Sequence, residues 1–326
     1  MNKLNLSNIQ KPIIEELSHF DSVFKNNLKS DVILVDLVAR YIIKQKGKRI
    51  RPILVLLSAK LAGGITERSY RGAALVELLH TATLVHDDVV DGAEKRRSFP
   101  SINAIWKNKI AVLMGDYLLS RGLMIAVENN DFDFLKTITN TVKRMSEGEL
   151  LQMSKTRKLN INEETYFRII SDKTASLLST CCEIGALSST NNADQISALK
   201  NFGEYLGLSF QIRDDILDYI GNSKIIGKNP GRDIKDKKIT LPLIYALRNA
   251  DKNESSKIIR YVKDGEKNKK VEEVIDFVKQ NGGLEYAEKV AFEYSQKAKD
   301  SLKIFQSSES YTSLESLVDF VVSRKN

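Results

Sequence analysis

The chain has 326 residues, of which 42% are hydrophobic and 28% charged, with only 5 Pro and 17 Gly. This composition is typical of one large globular domain over residues 1–326, or of two closely fused ones, and it excludes disordered, collagenous and membrane-embedded chains. The first twenty residues have no apolar core of a secretory signal, and no uninterrupted apolar run approaches membrane-spanning length, so we expect a soluble cytoplasmic protein. The net charge of +8 is compatible with nucleic acid, phospholipid or a small phosphorylated ligand.

The predicted elements are helices along nearly the whole chain, because apolar residues recur at spacings of three and four. One helix runs from Pro52 to the Gly63-Gly64 pair, and the next is capped by Thr66 and ends just before Gly92. Further helices are predicted near residues 12–29, 31–45, 103–128, 132–155, 163–188, 194–220, 239–249, 270–280 and 283–305. With no alternating strand pattern, the fold class is all-α, a single large antiparallel helix bundle.

A basic stretch and a pair of cysteines are not assigned to any functional site. The densest basic stretch, KDGEKNKK at residues 263–270, has no aromatic residue to stack on a base, so it is interpreted as a solvated loop and no nucleic-acid partner is expected. Cys181 and Cys182 are adjacent, which is neither a redox nor a metal-ligand spacing. We expect both to be buried packing residues.

Two aspartate clusters share one spacing and each follows an apolar helix. HDDVVD spans residues 86–91 and QIRDDILDY spans 211–219. Residues four apart lie on one helix face, so Asp87 pairs with Asp91 and Asp214 with Asp218, and each pair is repulsive unless something neutralises it. Mg²⁺ binds one or two carboxylates and completes its shell with water and phosphate oxygens. A single such cluster is more often a solvated helix end, but two copies favour a diphosphate held between them through Mg²⁺.

Basic residues accompany both clusters. His80 lies two turns before Asp87 on the same stripe, although without the aspartates a satisfied core histidine would be the better interpretation. Lys48 and Arg51, in GKRIRP, begin a helix where backbone N–H groups also favour an anion. For any one of these a surface charge is the simpler interpretation, and only their position as a set indicates a binding site. The other candidates are Arg96, Arg97, Lys173, Lys228 and Lys238.

Over about residues 30–250 these motifs, in this order, resemble the polyprenyl synthetase family of trans-isoprenyl diphosphate synthases. The resemblance implies the isoprenoid synthase-like bundle around a central active-site cavity, and a homodimer. Two departures are visible, Lys46 where the family usually has Gly and Ser98 where Gly is common. The resemblance implies catalytic roles for a set of acidic and basic residues, which are Asp87, Asp88, Asp91, Lys173, Asp214, Asp215 and Lys228. It also implies that Mg²⁺ binds to Asp87, Asp91 and Asp214. It implies substrate contacts from Lys48, Arg51, His80, Arg96, Arg97, Thr174, Gln211 and Lys238.

The resemblance also implies the reaction. Isopentenyl diphosphate would condense with an allylic partner, farnesyl or geranylgeranyl diphosphate, by ionisation, condensation and elimination. Ala82 and Thr83 stand where short-chain members place bulky aromatic residues, so we expect an open tunnel and a medium to long, octaprenyl-like product of the kind used as a quinone side chain. The alternative to an open tunnel is that a side chain from a facing helix closes it, with Met114, Met145 or Phe132 as candidates for this plug. The alternative functions are a farnesyl or geranylgeranyl diphosphate synthase, or a non-catalytic subunit of a heteromeric enzyme.

Overall fold

The structure is a computed structural model that describes residues 5–45, 47–96, 99–220, 231–264 and 268–324. Its first half contains α1 (Leu6–Gln10), α2 (Ile14–Asn27), α3 (Ile33–Lys44), α4 (Ile50–Ala62), α5 (Glu67–Val90), α6 (Ile102–Glu128) and α7 (Phe132–Lys158). Its second half contains α8 (Glu163–Ile170), α9 (Ser176–Leu187), α10 (Ala193–Ile220), α11 (Arg232–Lys235), α12 (Leu241–Asn249), α13 (Lys252–Asp264), α14 (Asn268–Gln280), α15 (Gly283–Ser301) and α16 (Glu309–Val322). The predicted all-α bundle is confirmed.

Four short elements complete the part of the chain that the structure describes. A 3-10 turn (Lys11–Ile13) leads into α2, and a π turn (Ser171–Ala175) joins α8 to α9. The strands β1 (Lys95–Arg96) and β2 (Phe99–Pro100) pair antiparallel, with Arg96 opposite Phe99. Neither the hairpin nor the π turn was predicted, and the predicted helix over 163–188 is therefore divided into α8, the π turn and α9.

The predicted helices otherwise agree with the structure to within a few residues. The helices α1, α11, α13 and α16 were not predicted. The interpretation of 263–270 as a loop is wrong at both ends, because Asp264 still belongs to α13 and Asn268 already begins α14. Both cysteines are buried and free, as expected.

The helix α5 begins and ends where its sequence predicts. The backbone N–H of Thr66 donates to Ser69 Oγ at 3.1 Å, and Glu67 places a negative charge in the first turn. At the other end Gly92 takes a φ of +61°, a left-handed conformation that glycine adopts at little cost. The first aspartate cluster therefore occupies the last turn of a well-defined 24-residue helix.

The helix α6 bears on the expectation that no segment spans a membrane. An 18-residue window of it has a mean hydropathy of 1.6, which is long and apolar enough to cross a membrane by length and composition. One such helix is weak evidence for a membrane span, because a core helix passes the same test; 39% of this window is buried, and α6 packs against α5. The helix also bends at Lys107, whose φ of +70° and ψ of 163° are not helical.

Two groups of buried side chains hold the bundle together. The larger lies among α1–α7, α9, the first half of α10, the end of α15 and α16, and the smaller lies among α8, the second half of α10, α11–α14 and the first half of α15. The side chain of Tyr205 on α10 packs against both. Because α5 and α10 both cross this core, each brings an aspartate cluster out of it at the helix C-terminus, where the unpaired carbonyls favour a cation.

Candidate active site

The first aspartate cluster presents a carboxylate that is short of positive charge. Burial raises the pKa of Asp87, and the charges of Glu149 and Asp91 add to that increase. Lys173 acts in the opposite direction, as does Arg96 more weakly. Since the helix C-terminus also disfavours negative charge, a cation bound beside Asp87 would remove a real electrostatic cost.

Asp88 has a different environment from its neighbours. It is only 3% exposed, and Arg96 Nε donates to both of its oxygens, at 2.8 and 3.0 Å. Since Arg96 belongs to β1, this buried pair ties the hairpin to the end of α5. Tyr41 attaches the hairpin to α3 as well, by donating from Oη to the carbonyl of Pro100 at 2.6 Å. In this structure Asp88 and Arg96 therefore neutralise each other.

His80 and Arg96, both predicted to contact substrate, line one cavity. That cavity is also lined by Arg49, which the sequence did not single out and which forms an ion pair with Asp21. Lys48 points elsewhere: its ammonium lies 5.9 Å from the ring centroid of Phe320 on α16.

Several predicted residues take no part in that cavity. Arg51 is half-buried in the first turn of α4, near enough to Cys181 for its charge to oppose the increase that burial causes in the thiol pKa. The predicted residues Arg97 and Lys228 lie outside the described residues, as do the departures Lys46 and Ser98.

The three aspartates of the second cluster have three different partners. Asp214, half-exposed, pairs with Arg324 just beyond α16. Asp215, 4% exposed, accepts from Tyr166 Oη at 2.6 Å and from Gln211 Nε2 at 2.9 Å. Burial, reinforced by the charge of Asp233, raises the pKa of Asp215 to about 8. A buried carboxyl group with two neutral donors orients its neighbours better than it binds a cation.

The carboxylate of Asp218 does not act as a pair with that of Asp214, although the sequence predicted this. Its two oxygens accept the backbone N–H groups of Arg232, at 3.1 Å, and of Asp233, at 3.0 Å. These bonds cap the short helix α11 and partly offset the increase that burial causes in the pKa of Asp218. Asp218 thus fastens the segment after residue 230 to the end of α10.

Lys173 connects the two clusters. Its ammonium donates to Gln152 Oε1 at 2.9 Å and forms an ion pair with Glu149, and its charge opposes the increase that burial causes in the pKa of Asp87. A second cavity brings it together with four other predicted residues, namely Thr174, Gln211, Asp215 and Lys238. Lys238 itself lies 3.4 Å from Asp236 and 3.8 Å from Asp233, so its charge is held at the rim by acidic neighbours.

Sequence reasoning missed three side chains of this cavity region, which are Glu149 and Gln152 on α7 and Tyr166 on α8. The first two are three residues apart and so share a helix face, but α7 carries many polar residues and nothing in its own pattern distinguishes them. Only the position of Lys173 in the folded chain identifies them.

The chain-length candidates lie on the core side of α5. Ala82 is 2% exposed, and Thr83 donates from Oγ1 to the carbonyl of His80 at 2.8 Å. Of the three alternative plugs, Met114 is buried, whereas Met145 is partly buried against the same core. Phe132 is 58% exposed at the start of α7, so it is wrong as a plug.

The donor set fits a hard divalent cation. Within the residues the structure describes, no three acidic, histidine or cysteine side chains converge to hold a metal ion. Mg²⁺ does not need such a cage, because one or two carboxylates, several waters and the phosphate oxygens of a substrate suffice. The undercompensated carboxylate of Asp87, with Asp91 one turn further on, offers this kind of partial site.

The bundle and this arrangement of aspartates and basic residues define an isoprenoid synthase-like prenyltransferase. The model of the polyprenyl synthetase family matches residues 33–278. The octaprenyl diphosphate synthase of Haemophilus influenzae is 33% identical over 98% of each chain, and the short chain isoprenyl diphosphate synthase of Methanothermobacter thermautotrophicus is 33% identical over 88% of this chain and 90% of its own. The crystal structure of a Caulobacter crescentus polyprenyl synthase complexed with calcium and isoprenyl diphosphate has a TM-score of 0.90 and 33% identity, covering 99% of this chain and 98% of that one. The chain belongs to the polyprenyl synthetase family.

Proposed function

We propose that the protein is an all-trans polyprenyl diphosphate synthase acting as one catalytic unit. It would condense isopentenyl diphosphate with farnesyl or geranylgeranyl diphosphate. The observation that carries the proposal is the position of Lys173. Its charge acts on the carboxylate of Asp87 in the first cluster, and its side chain lines a cavity together with Asp215 of the second. A cation between two carboxylate clusters suits a leaving diphosphate, whose charge grows as the allylic C–O bond breaks.

In this mechanism Asp87, Asp91 and Asp214 would hold Mg²⁺, which when bound would supply positive charge to the allylic diphosphate. In this structure Asp214 forms an ion pair with Arg324, and this ion pair would have to break for Asp214 to bind Mg²⁺. Basic and apolar side chains of the protein would act together with the metal ion. Lys173 donates hydrogen bonds to the departing oxygens, helped by Lys228 and Lys238, and the apolar side chains of the bundle keep water from the allylic cation.

The second substrate needs positioning more than activation. His80, which lines a cavity at the side of α5, would with Lys48, Arg51 and Arg97 bind isopentenyl diphosphate so that its double bond meets the cation. Lys48 and Arg51 lie outside that cavity in this structure and would have to turn toward it. Arg96 would contact the allylic diphosphate. Carbon–carbon bond formation leaves a tertiary cation, and loss of a proton from the adjacent carbon restores a double bond. The departed diphosphate is the base that accepts this proton.

The product is proposed to be medium to long, octaprenyl-like, because Ala82 places a small side chain below the first cluster. A short-chain synthase is the second candidate, since a relative of that name is as similar to this chain as the octaprenyl enzyme is. The finding of lysine and aspartate side chains around one cavity argues against a non-catalytic subunit.

The active form is proposed to be a cytoplasmic homodimer. The helix α6 exposes large apolar side chains along its length, and a second copy of the chain would cover them. These side chains are Ile105, Val112, Leu113, Met124 and Val127.

The test is incubation of the purified protein with Mg²⁺, labelled isopentenyl diphosphate and farnesyl diphosphate, with chromatography of the dephosphorylated products against prenol standards. A series that ends at one species of about eight isoprene units is expected. Termination after one addition would replace the long-chain proposal by the short-chain one. No incorporation with either allylic primer by folded, metal-replete protein would overturn the enzyme proposal.

A further inference from the structure

The π turn at Ser171–Ala175 points two adjacent side chains at two different helices. Lys173 donates to Gln152 on α7, and Thr174 donates from Oγ1 to Gln211 Oε1 on α10 at 2.9 Å. A π turn holds one residue more than an α turn and recurs at functional sites. If it relaxed to α-helix, the residues beyond it would turn by about 100° and shift by about 1.5 Å, so both contacts could not survive together.

The helix α7 is shaped to receive this turn. Arg144, Gly148 and Gln152 follow one another at four-residue spacing and so form one stripe. At Gly148 an added Cβ would stand 2.9 Å from the Cβ of Asp172 and 3.1 Å from the backbone nitrogen of Lys173. Only a glycine lets the π turn approach α7 this closely.

The helix α10 presents a matching stripe from the other side. Glu204, Gly207 and Gln211 lie three and four residues apart on one face. An added Cβ at Gly207 would stand 2.5 Å from the Cα of Ala175, the last residue of the π turn. Thr174 bonds to Gln211 on the same stripe. The turn is therefore enclosed between two glycines, with a charged residue at one end of each stripe and a glutamine at the other.

The two charged residues join around the outer side of the turn. Arg144 Nε donates to Asp172 Oδ1 at 2.9 Å, and Nη2 donates to Ser171 Oγ at 2.8 Å and to Glu204 Oε1 at 3.1 Å. The carboxylates of Asp172 and Glu204 are 17% and 21% exposed, which is well below the exposure of an ordinary surface pair. A planar guanidinium can satisfy three acceptors in this way, whereas a lysine ammonium cannot match the geometry.

We propose that Arg144 is a positioning residue for Lys173, acting through the π turn. Arg144 binds the first two residues of the turn to Glu204 on α10, and this holds the turn in the conformation in which Lys173 reaches the cavity. The inference rests on the proposed function for the role of Lys173 in binding diphosphate. Neither Arg144 nor Glu204 lines the cavity that contains Lys173, so their effect is indirect.

The test is a pair of matched substitutions. Arg144→Met is expected to lower kcat/KM for the allylic diphosphate by about 10- to 100-fold, as a displaced catalytic group would, while leaving KM for isopentenyl diphosphate within about twofold. Arg168→Met is the control, because this guanidinium is 66% exposed and lies 3.8 Å from the same Asp172. It is expected to change neither constant. Equal losses in both variants would overturn the proposal.

A double-mutant cycle separates positioning from a general structural role. If Arg144 acts only through Lys173, Arg144→Met should cost nothing further in a Lys173→Ala background. Additive losses would overturn the proposal. Glu204→Gln replaces Arg144→Met in the same cycle if the latter protein fails to fold.

Binding of inorganic pyrophosphate in the presence of Mg²⁺, measured by calorimetry, repeats the cycle without turnover. The Arg144 and Lys173 variants should lose the same affinity, and the double variant should lose no more. If the wild type shows no prenyl transfer, the proposed function fails, and this binding cycle still decides the positioning role.

Discussion

Gly207→Ala is expected to impair catalysis by moving the π turn. Gly203→Ala, one turn earlier on α10, is the matched control. At both positions a Cβ would lie 2.5 Å from the nearest backbone atom, the Cα of Ala175 for Gly207 and the carbonyl oxygen of Leu178 for Gly203. The two substitutions therefore introduce similar clashes, but only the first meets the turn that contains Lys173.

The magnitude follows from these distances. Carbon atoms pack at about 3.5–4.0 Å, so the new methyl group must move its neighbour by about 1 Å. Overpacking of this kind costs about 1–3 kcal/mol, and the better helix propensity of Ala recovers up to about 1 kcal/mol. Both variants should lose about 1–2 kcal/mol of stability. A displacement of about 1 Å in a catalytic group can reduce the rate by about 100-fold, and Gly207→Ala alone should show such a loss.

Stability is measured by urea unfolding, and activity as kcat/KM for the allylic diphosphate at saturating isopentenyl diphosphate. The account predicts equal destabilisation and unequal activity. It is refuted if the two variants lose activity in proportion to stability, or if Gly207→Ala retains wild-type activity while being destabilised.

Three further outcomes are expected. Ala82→Phe should shorten the final product seen by chromatography, because Ala82 is buried below the first cluster, and an unchanged length would contradict the tunnel proposal. Burial raises the pKa of Asp215 to about 8, so in metal-free protein the folded state keeps a proton that the unfolded chain releases above about pH 4. The free energy of unfolding should therefore fall by up to about 1.4 kcal/mol per pH unit as pH rises from about 4 to 8, and Asp215→Asn should flatten that slope in urea titrations; equal slopes would refute this. Burial also raises the pKa of Cys181, and that of Cys182 to about 12, so neither thiol should react with a disulfide reagent at pH 8 before denaturation, and rapid labelling of native protein would be inconsistent with their burial.

The helices and both aspartate clusters could be predicted because their signals are local. Apolar spacing, Thr66 and Gly92 determine α5, and the repeated Asp-Asp-x-x-Asp spacing locates the last turns of α5 and α10. The helix α16 was missed because its Ser-rich beginning resembles a loop, although Ser308 caps it by accepting from the backbone N–H of Tyr311 at 3.2 Å.

The partners of the aspartates could not be predicted, because they come from distant parts of the chain. Asp215 is bound by Tyr166, Asp214 by Arg324, and Asp218 by the backbone of a segment in which no helix was predicted. The π turn is likewise invisible in its own sequence, SDKTA, since Gly148 and Gly207 on other helices make room for it.

If the first aspartate cluster serves diphosphate departure, prenyl transfer should depend on Asp87 and not on a carboxylate elsewhere on the surface. Mg²⁺-dependent incorporation of isopentenyl diphosphate is measured for wild type, for Asp87→Asn, and for Asp319→Asn, a half-exposed carboxylate paired with Lys299 on α15. The account predicts a loss of at least about 100-fold for Asp87→Asn and wild-type rates for Asp319→Asn. A wild-type rate in folded Asp87→Asn protein would contradict it.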